Sequence, residues 1–294
     1  MSMIYYGDLK CQNEKCKNKA YYICDNRYLC GVHSRKLNRI ELPKRSKKEI
    51  IALKMERQKN EDRLIEESRE KNAFYKFKGK VILSKLRMMK DPEHIDGYLR
   101  IFPNYNHQNR RDGLGMSSLS PYNLGPIKHY QLGVPEALNL ENFHQGSKVY
   151  PSEVDDDGNP KKEFYENRNK MYCDIEPHRH KFSRKDKPLY FVWIDQMGQE
   201  YHLNYIQSRQ FYCNFYERLA SNQEDFQRLH KLLEEGYNLQ ICGYDAYSVD
   251  PTADAIERAY LNPSRPFGHE LVLFTMLILP LEQAPWRKYK TFNF

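Results

Sequence analysis

The spacing of the cysteines near the start of the sequence constrains the fold more than any other feature. Four of the seven cysteines lie within the stretch CQNEKCKNKAYYICDNRYLCGVH, residues 11–33, with the spacing C-x4-C-x7-C-x5-C-x2-H. Thiols crowded in this way, in a chain that shows no signal-peptide pattern, usually bind zinc. A short, polar, lysine-rich segment has too few apolar residues to form a core, so we expect the metal to fold it.

A tetrahedral ion takes two pairs of ligands, each held on a tight turn. Cys11 with Cys16 and Cys30 with His33 supply these pairs, and Cys24 is a fifth candidate that the sequence does not exclude in place of another ligand. A site filled by four protein ligands has no open coordination position, so the predicted Zn²⁺ is structural. The alternative is a set of free cysteines.

The charge is unevenly distributed along the chain. The net charge is +8, but residues 34–90 contain 19 Lys and Arg and only 8 Asp and Glu, whereas residues 91–294 sum to −5. Such a basic segment predicts a polyanionic partner, most commonly nucleic acid, and the alternative is a solvated, charged helix. Residues 47–71 contain no Gly or Pro and predict a largely exposed helix.

The segment 75–90 is open to two interpretations. Tyr75 and Phe77 alternate with lysines and would stack on bases, or the segment packs against the following domain as a strand or helix, which we favour. Residues 103–118 are polar and are interpreted as a linker or loop. The sequence thus predicts a zinc module at 1–40, a basic arm and linker at 41–118, and a globular domain at 119–294.

The globular domain is predicted to be α+β and rich in helix, with a β-hairpin. The pattern predicts, in chain order, a helix around 136–150, a hairpin at 189–205, a long helix near 206–235, a strand within 238–247 and a last helix near 269–279. The longest apolar run, 271–281, is too short to span a bilayer. We expect an intracellular protein without a membrane segment, in the cytoplasm, the nucleus or a virion.

One phrase of this domain, ENFHQGSK at 141–148, indicates more than fold. Glu141, Gln145 and Lys148 are spaced i, i+4 and i+7, so a helix would place all three on one face. A carboxylate, an amide and an ammonium on one face can bind a sugar or nucleotide. The alternative is an exposed polar face.

Two further clusters of polar residues have side chains suited to binding. His269 and Glu270 follow Gly268 and would begin a helix whose N-terminus binds an anion; alternatively, Arg265 and Glu270 form a surface pair. The tripeptide at 178–180, His-Arg-His, contains residues of the metal-ligand type.

Two parts of the chain, the cysteine-rich segment and the globular domain, resemble known families. The segment 19-KAYYICDNRYLCGVH-33 is similar to the first zinc site of a B-box finger, although partners for a second site are missing. The phrase at 141–148 resembles the E-x-[aromatic]-x-Q-x-x-K motif of the NADAR family, which is named for its links to NAD and ADP-ribose. Weaker similarities lie, in order, at 120–127, 208–219, 239–247 and 267–278, so that the resemblance spans about 160 residues.

The NADAR resemblance implies cleavage of an N-glycosidic bond in an ADP-ribosyl or nucleotide substrate. Glu141 would stabilise the cationic sugar or activate water, Gln145 would bind a sugar hydroxyl and Lys148 a phosphate. Asp245 would be the second carboxylate, acting as a base or ribose ligand, and His269 would bind substrate. The sequence departs from the family's Trp-Gly and Gly-Lys-Asn segments, with Ala-Tyr at 246–247 and Pro-Phe-Gly-His at 266–269.

Two alternatives to an enzyme remain at this stage. In the first alternative, the globular domain would keep the fold of the family without its catalytic activity and would serve as an interaction or structural protein in an assembly such as a viral particle. The combination of a zinc module with such a domain also resembles proteins of large DNA viruses. In the other alternative, the zinc module and residues 34–90 would form a nucleic-acid-binding regulator.

Overall fold

The computed structural model describes residues 4–88 and 92–290, and the chain divides into two compact units, 1–62 and 63–294. The strands of the described residues are β1 (Tyr22–Cys24), β2 (Arg27–Leu29), β3 (Ile40–Glu41), β4 (Val81–Lys85), β5 (Tyr98–Phe102), β6 (Leu114–Gly115), β7 (Lys148–Val149), β8 (Tyr190–Ile194), β9 (Glu200–Leu203) and β10 (Asn238–Gly243). The α-helices are α1 (Lys47–Phe74), α2 (Leu140–Gly146), α3 (Lys162–Tyr172), α4 (Tyr205–Ala220), α5 (Glu224–Glu234), α6 (Ala253–Leu261), α7 (His269–Ile278) and α8 (Pro285–Lys288). Short 3₁₀ helices lie at Tyr105–His107, Ser117–Leu119, Pro151–Glu153 and Leu281–Gln283.

The first unit is built on a small antiparallel sheet in the order β2-β1-β3. Asp25 and Asn26 join β1 to β2, and both have positive φ angles, of 47° and 58°. Two consecutive left-handed residues are typical of the type I′ turn, whose twist matches that of a hairpin, and Asp and Asn tolerate this conformation. The hairpin places Cys24 and Cys30 in the interior of this unit.

Helix α1 begins with a capping box. The Ser46 side chain accepts a hydrogen bond from the Glu49 N–H at 3.2 Å, and the Glu49 carboxylate accepts one from the Ser46 N–H at 2.8 Å. The helix is exposed along most of its length, including Ile50, Ile51 and Met55. The predicted exposed helix is therefore confirmed.

The second unit contains a parallel sheet in the order β4-β10-β5-β6. Every residue of β10 is buried, as expected for the central strand of a parallel sheet covered on both faces. Residues 81–85 and 98–102 pair with β10, although the sequence analysis assigned them to the arm and linker. The favoured interpretation of 75–90, a strand packed on the body, is confirmed for 81–85.

The third sheet, β7-β8-β9, contains the predicted hairpin. In its turn the Asp195 carboxylate accepts hydrogen bonds from the N–H groups of Met197 and Gln199 at 2.9 and 2.8 Å. Gly198 has a φ of +84°, which favours glycine at this point. The fold is thus α+β, with a helix-rich second unit and a β-hairpin, as the sequence predicts.

Two helices differ from the prediction. The single helix expected near 206–235 is two helices, because α4 ends at Ala220 and α5 begins at Glu224. The Ser221 and Asn222 side chains donate to carbonyls four residues earlier, at 2.6 and 2.8 Å, and such side chains favour helix ends over helix interiors. The helix expected around 136–150 covers only 140–146, and residues 148–149 form β7 instead.

Candidate functional site

A cavity of about 590 Å³ lies in the second unit. Its walls come from α2 and β7, from α4, from the loop after β10, from the beginning of α7, and from the loops around 104–106 and 120–122. All five residues that the sequence analysis assigned to catalysis or substrate binding line this cavity: Glu141, Gln145, Lys148, Asp245 and His269. A cavity of this volume is large enough for a nucleotide-sized ligand.

The first wall carries a chain of hydrogen bonds. Lys148 Nζ donates to Gln145 Oε1 at 2.9 Å, and Gln145 Nε2 donates to Glu141 Oε1 at 3.0 Å. Lys148 lies on β7 rather than on α2, so a short strand, not a third helical turn, brings its ammonium to the other two side chains. Gln145 therefore holds both the Glu141 carboxylate and the Lys148 ammonium in place.

Helix α2 supports the position of Glu141. The Asn139 side chain caps the helix by accepting a hydrogen bond from the Asn142 N–H at 2.8 Å. Glu141 lies in the first turn, where the helix dipole favours a negative charge. On the opposite side of the helix, Phe143 is fully buried against Phe211 and Phe215, with ring centroids 4.9 Å away in both cases.

Burial shifts the acid–base properties of this wall. It raises the pKa of Glu141, and the charge of Lys148 and the Gln145 hydrogen bond only partly oppose the shift. It lowers the pKa of Lys148 to about 8, although the nearby Glu141 carboxylate acts in the other direction. A carboxyl group that holds a proton more tightly, beside an amine that loses one more easily, is suited to proton transfer near neutral pH.

His144 is a cavity residue that the sequence analysis missed. Its ring stacks on Phe191 at 5.5 Å with an interplanar angle of 14°, and it lies 4.8 Å from the Tyr212 ring. Burial lowers the pKa of His144 well below its usual value, so the imidazole is neutral at pH 7. Its spacing of i+3 from Glu141 was a signal that could have placed it on the same face of α2.

The second wall contains three more ionisable residues, Asp245, His269 and Glu270. Glu270 is buried, with 1% of its surface exposed, so it is not the partner of Arg265 in a surface pair, which was the alternative interpretation from sequence. Within the described chain, Glu270 Oε2 and His269 Nε2 are buried atoms without a hydrogen-bond partner, although Glu270 Oε2 lies 3.3 Å from His269 Nδ1. A bound ligand that donates to a carboxylate would satisfy Oε2.

Two glycines make room for the Glu270 carboxylate. A Cβ atom on Gly243 would lie 2.0 Å from Glu270 Oε1, and one on Gly268 would lie 3.0 Å from Oε2. Gly243 ends β10, and Gly268 is the N-cap of α7. Gly268, directly before the last helix, therefore allows the carboxylate to approach the backbone closely, as Gly243 does.

Two arginines add positive charge to the cavity. Arg209, on α4, donates both Nη groups to the backbone carbonyls of Tyr260 and Arg265. Arg179 also lines the cavity, whereas its neighbours in the His-Arg-His tripeptide lie elsewhere. His178 pairs with Asp174 at 2.9 Å and His180 with Glu153 at 3.3 Å, so the histidines act separately.

The first unit contains the metal-ligand cluster. One ligand atom from each of Cys11, Cys16, Cys30 and His33 lies within 4.8 Å of all the others, and no other such cluster is found in the residues that the structure describes. Cys24 is buried and packs beside these residues but is outside the group. The four residues can bind one metal ion, and Cys24 is a thiol of the small core.

The distances within this cluster fit a tetrahedral ion. His33 Nδ1 lies 3.4 Å from Cys11 Sγ and 3.3 Å from Cys30 Sγ, and Cys16 Sγ lies 3.9 Å from Cys30 Sγ. Zinc–ligand bonds of about 2.0 to 2.3 Å give tetrahedral edges of about 3.5 to 3.8 Å. Burial opposes ionisation of Cys30, but the N–H groups of His33 and Val32 outweigh it and lower the pKa of its thiol to about 6, which favours the metal-binding thiolate.

No protein-family model, curated protein or solved structure matches the chain. In the described residues, no helix combines the length and the hydropathy that a membrane-spanning segment requires. Functional assignment therefore depends on the chemistry of the cavity and of the cysteine–histidine cluster.

Proposed function

We propose that the second unit is a hydrolase that cleaves the N-glycosidic bond of an ADP-ribosyl or nucleotide substrate. The observation that carries this proposal is the convergence of Glu141, Lys148, Asp245 and His269 on one cavity from three separate segments of the chain. Glu141 and Lys148 are also the groups whose pKa values burial shifts toward neutrality. The resemblance of residues 141–148 to the NADAR motif supports the same reaction class.

The proposed reaction replaces a carbon–nitrogen bond by a carbon–oxygen bond. As the bond from ribose C1′ to the base nitrogen breaks, positive charge develops on the sugar, and water adds to C1′. Glu141 stabilises this charge and accepts the proton of the attacking water. Nicotinamide leaves as a neutral group and this proton passes to solvent, whereas a departing guanine nitrogen takes the proton up from Glu141. The buried position of Glu141 strengthens its electrostatic effect on the sugar cation.

The other cavity residues would bind the substrate. Lys148 and Arg179 carry the positive charge that a diphosphate requires. Glu270 and Asp245 supply carboxylate oxygens for ribose hydroxyls, and Glu270 is the stronger candidate because its buried Oε2 accepts no hydrogen bond from the described residues. The ring of His144, stacked on Phe191, offers an aromatic surface beside a base or ribose.

We also propose that the metal of the first unit is Zn²⁺ with a structural role. Three thiolates and one imidazole form a donor set that zinc prefers, and all four coordination positions are occupied by protein. Of the four buried residues in the core beside the site, Cys11 and Cys30 are themselves ligands, and only Leu29 and Cys24 remain, so the ion would supply most of the folding free energy of the unit.

The hydrolase is tested by incubating the protein with NAD⁺, with ADP-ribose derivatives and with ADP-ribosylated DNA, and by measuring the released base and sugar by mass spectrometry. We expect release from at least one substrate, and Glu141→Gln should lower the rate by a factor of about 10² to 10⁴. Glu163→Gln is the matched control, because Glu163 lies in the first turn of α3 and is exposed.

Two outcomes would contradict the proposal. Equal rates for the wild type and Glu141→Gln would exclude Glu141 from catalysis. Tight binding of ADP-ribose without any turnover would instead assign the cavity to a non-catalytic interaction protein, which is the alternative that the departures at 246–247 and 266–269 favour.

A further inference from the structure

Three aromatic side chains are exposed side by side at the end of α1. Phe74, Tyr75 and Phe77 expose 80%, 56% and 63% of their surfaces. The ring centroids of Phe74 and Tyr75 are 5.0 Å apart, and those of Tyr75 and Phe77 are 5.9 Å apart with an interplanar angle of 23°. We call these three residues the aromatic platform. None of them lines the cavity described above.

The backbone holds the aromatic platform in a defined shape. The Phe77 N–H donates to the Asn72 carbonyl at 2.9 Å, and the Lys76 N–H donates to the Ala73 carbonyl at 3.1 Å. This pair of bonds is the Schellman arrangement that ends many helices, with Lys76 in the left-handed position at φ 56°. A residue other than glycine at this position costs about 1 kcal/mol or more. The turn that keeps Tyr75 and Phe77 adjacent therefore lowers the stability of the folded chain by about this amount.

The segment is also anchored to the rest of its unit. The Asn72 side chain donates to the Gly236 carbonyl at 2.8 Å, and the Gly79 N–H donates to the Leu233 carbonyl at 2.8 Å. The Lys80 N–H donates to Asn238 Oδ1 at 2.9 Å. Because both ends of 72–80 are tied down, the rings form a preorganised surface, and little conformational entropy is lost when a ligand binds to it.

Lysines are interspersed with the aromatic platform in the sequence. Residues 71–80 contain four lysines and no acidic residue. Lys78 pairs with Glu234. Among the described residues, no carboxylate lies within ion-pair distance of Lys71, Lys76 or Lys80, and all three are exposed. The surface thus combines large exposed rings with three lysines that form no ion pair with any residue that the structure describes.

We propose that the aromatic platform and these three lysines bind single-stranded nucleic acid. Unpaired bases present flat faces that stack on exposed rings irrespective of sequence, and the adjacent phosphates meet the ammonium groups. In a duplex the faces of the bases are already stacked and cannot reach the rings. This binding surface is independent of the hydrolase proposed for the cavity.

The test measures binding of the full chain to fluorescent oligonucleotides of about 15 nucleotides, both DNA and RNA, by anisotropy. We expect the double variant Tyr75→Leu with Phe77→Leu to weaken binding at least about tenfold, since loss of a stacked ring commonly weakens binding by that factor or more. Tyr130→Leu is the matched control, because Tyr130 is an aromatic residue that is also strongly exposed, at 67%. It should bind as the wild type does.

The charge contribution is measured separately through the dependence on salt. Lys76→Asn with Lys80→Gln removes two positive charges, and Asn tolerates the left-handed conformation at 76. A plot of log affinity against log salt has a negative slope, and for single strands each phosphate contact adds about 0.7 to its magnitude. We therefore expect the magnitude of the slope to decrease by about 1.4 in this variant. Lys170→Gln, an exposed lysine on α3, should leave the slope unchanged.

Three results would overturn the proposal. The aromatic double variant and Tyr130→Leu would bind single strands equally well, or a duplex of the same length would bind as tightly as the single strand, which would indicate charge alone. In the third result, the affinity for oligonucleotides would not depend on Tyr75 and Phe77, whereas the affinity for vesicles of phosphatidylserine and phosphatidylcholine would. That result would assign the surface to membranes.

Discussion

The buried amine of Lys148 leads to a prediction about stability that needs no knowledge of the substrate. In the folded protein its pKa is about 8 instead of 10.5, because burial disfavours the ammonium. Each tenfold change in proton affinity is worth about 1.4 kcal/mol, so the folded state holds the charge at a cost of about 3 kcal/mol. Solvent that reaches this half-buried side chain reduces the figure, and we expect about 2 kcal/mol.

Proton binding to Lys148 determines whether the free energy of unfolding rises or falls with pH. Between pH 8 and 10.5 the unfolded chain still holds the proton on Lys148 that the folded chain has released. Stability rises with pH wherever the unfolded state binds more protons. In Lys148→Met this contribution is absent. The free energy of unfolding of the wild type, relative to that of Lys148→Met, should therefore increase by about 2 kcal/mol from pH 7 to pH 10.5.

The assay is urea unfolding followed by tryptophan fluorescence at a series of pH values. Both tryptophans, Trp193 and Trp286, belong to the second unit, so the signal reports on the unit that contains Lys148. Other groups that titrate in this range, such as tyrosines, affect both proteins alike and cancel in the difference. Lys170→Met is the control for an exposed lysine. A difference that stays constant within about 0.5 kcal/mol, or that decreases with pH, would refute the assignment of Lys148 as a buried amine.

Three other outcomes can be checked. Cys30→Ser should remove the bound metal, detected as loss of one zinc ion per chain by elemental analysis, whereas Cys24→Ala should retain it because Cys24 is outside the ligand group. Gly243→Ala should lower stability by about 1 to 3 kcal/mol in urea unfolding, since its Cβ would lie 2.0 Å from Glu270 Oε1. Glu270→Gln should weaken ADP-ribose binding in calorimetry by about tenfold, with a smaller effect on a 2′-deoxy analogue; equal effects on both ligands would exclude Glu270 as the ribose acceptor.

The cavity was predictable in part because its first wall is local in sequence. Glu141 and Gln145 are separated by one helical turn, so periodicity alone brings them together. Lys148 reaches them for a different reason. The helix ends at Gly146, and the pairing of β7 with β8, which no local pattern shows, sets the direction of the chain.

The second wall depends on contacts between distant parts of the chain. Glu270 is a charged residue two positions after a glycine, a pattern that sequence alone cannot distinguish from a surface position. Its burial follows from the packing of α7 against β4 and β10 and from the lack of side chains at Gly243 and Gly268. The sequence also groups Arg179 with its histidine neighbours, and this grouping is wrong. Adjacent residues in a loop can point in different directions, and only Arg179 lines the cavity.

The parallel sheet shows why the start of the second unit was hard to place. Strand β4 is short, begins directly after Lys80 and ends at Lys85, so a charge count averaged over 34–90 conceals it. Its partner β10 follows more than 150 residues later, and only that pairing reveals that 81–85 belongs to the core. The metal-ligand cluster was predictable because four ligands lie within 23 residues and their spacing is a local property.

The most direct test of the hydrolase is a single-turnover reaction in water labelled with ¹⁸O, with the protein in excess over the ADP-ribosyl substrate. If Glu141 activates water at the sugar carbon, the wild type and Glu163→Gln should release ADP-ribose that carries ¹⁸O at the anomeric carbon before that oxygen exchanges with water, and Glu141→Gln should release none above background on the same timescale. Labelled product formed equally fast by Glu141→Gln, or no labelled product from the wild type with any of the three substrate classes, would contradict the account.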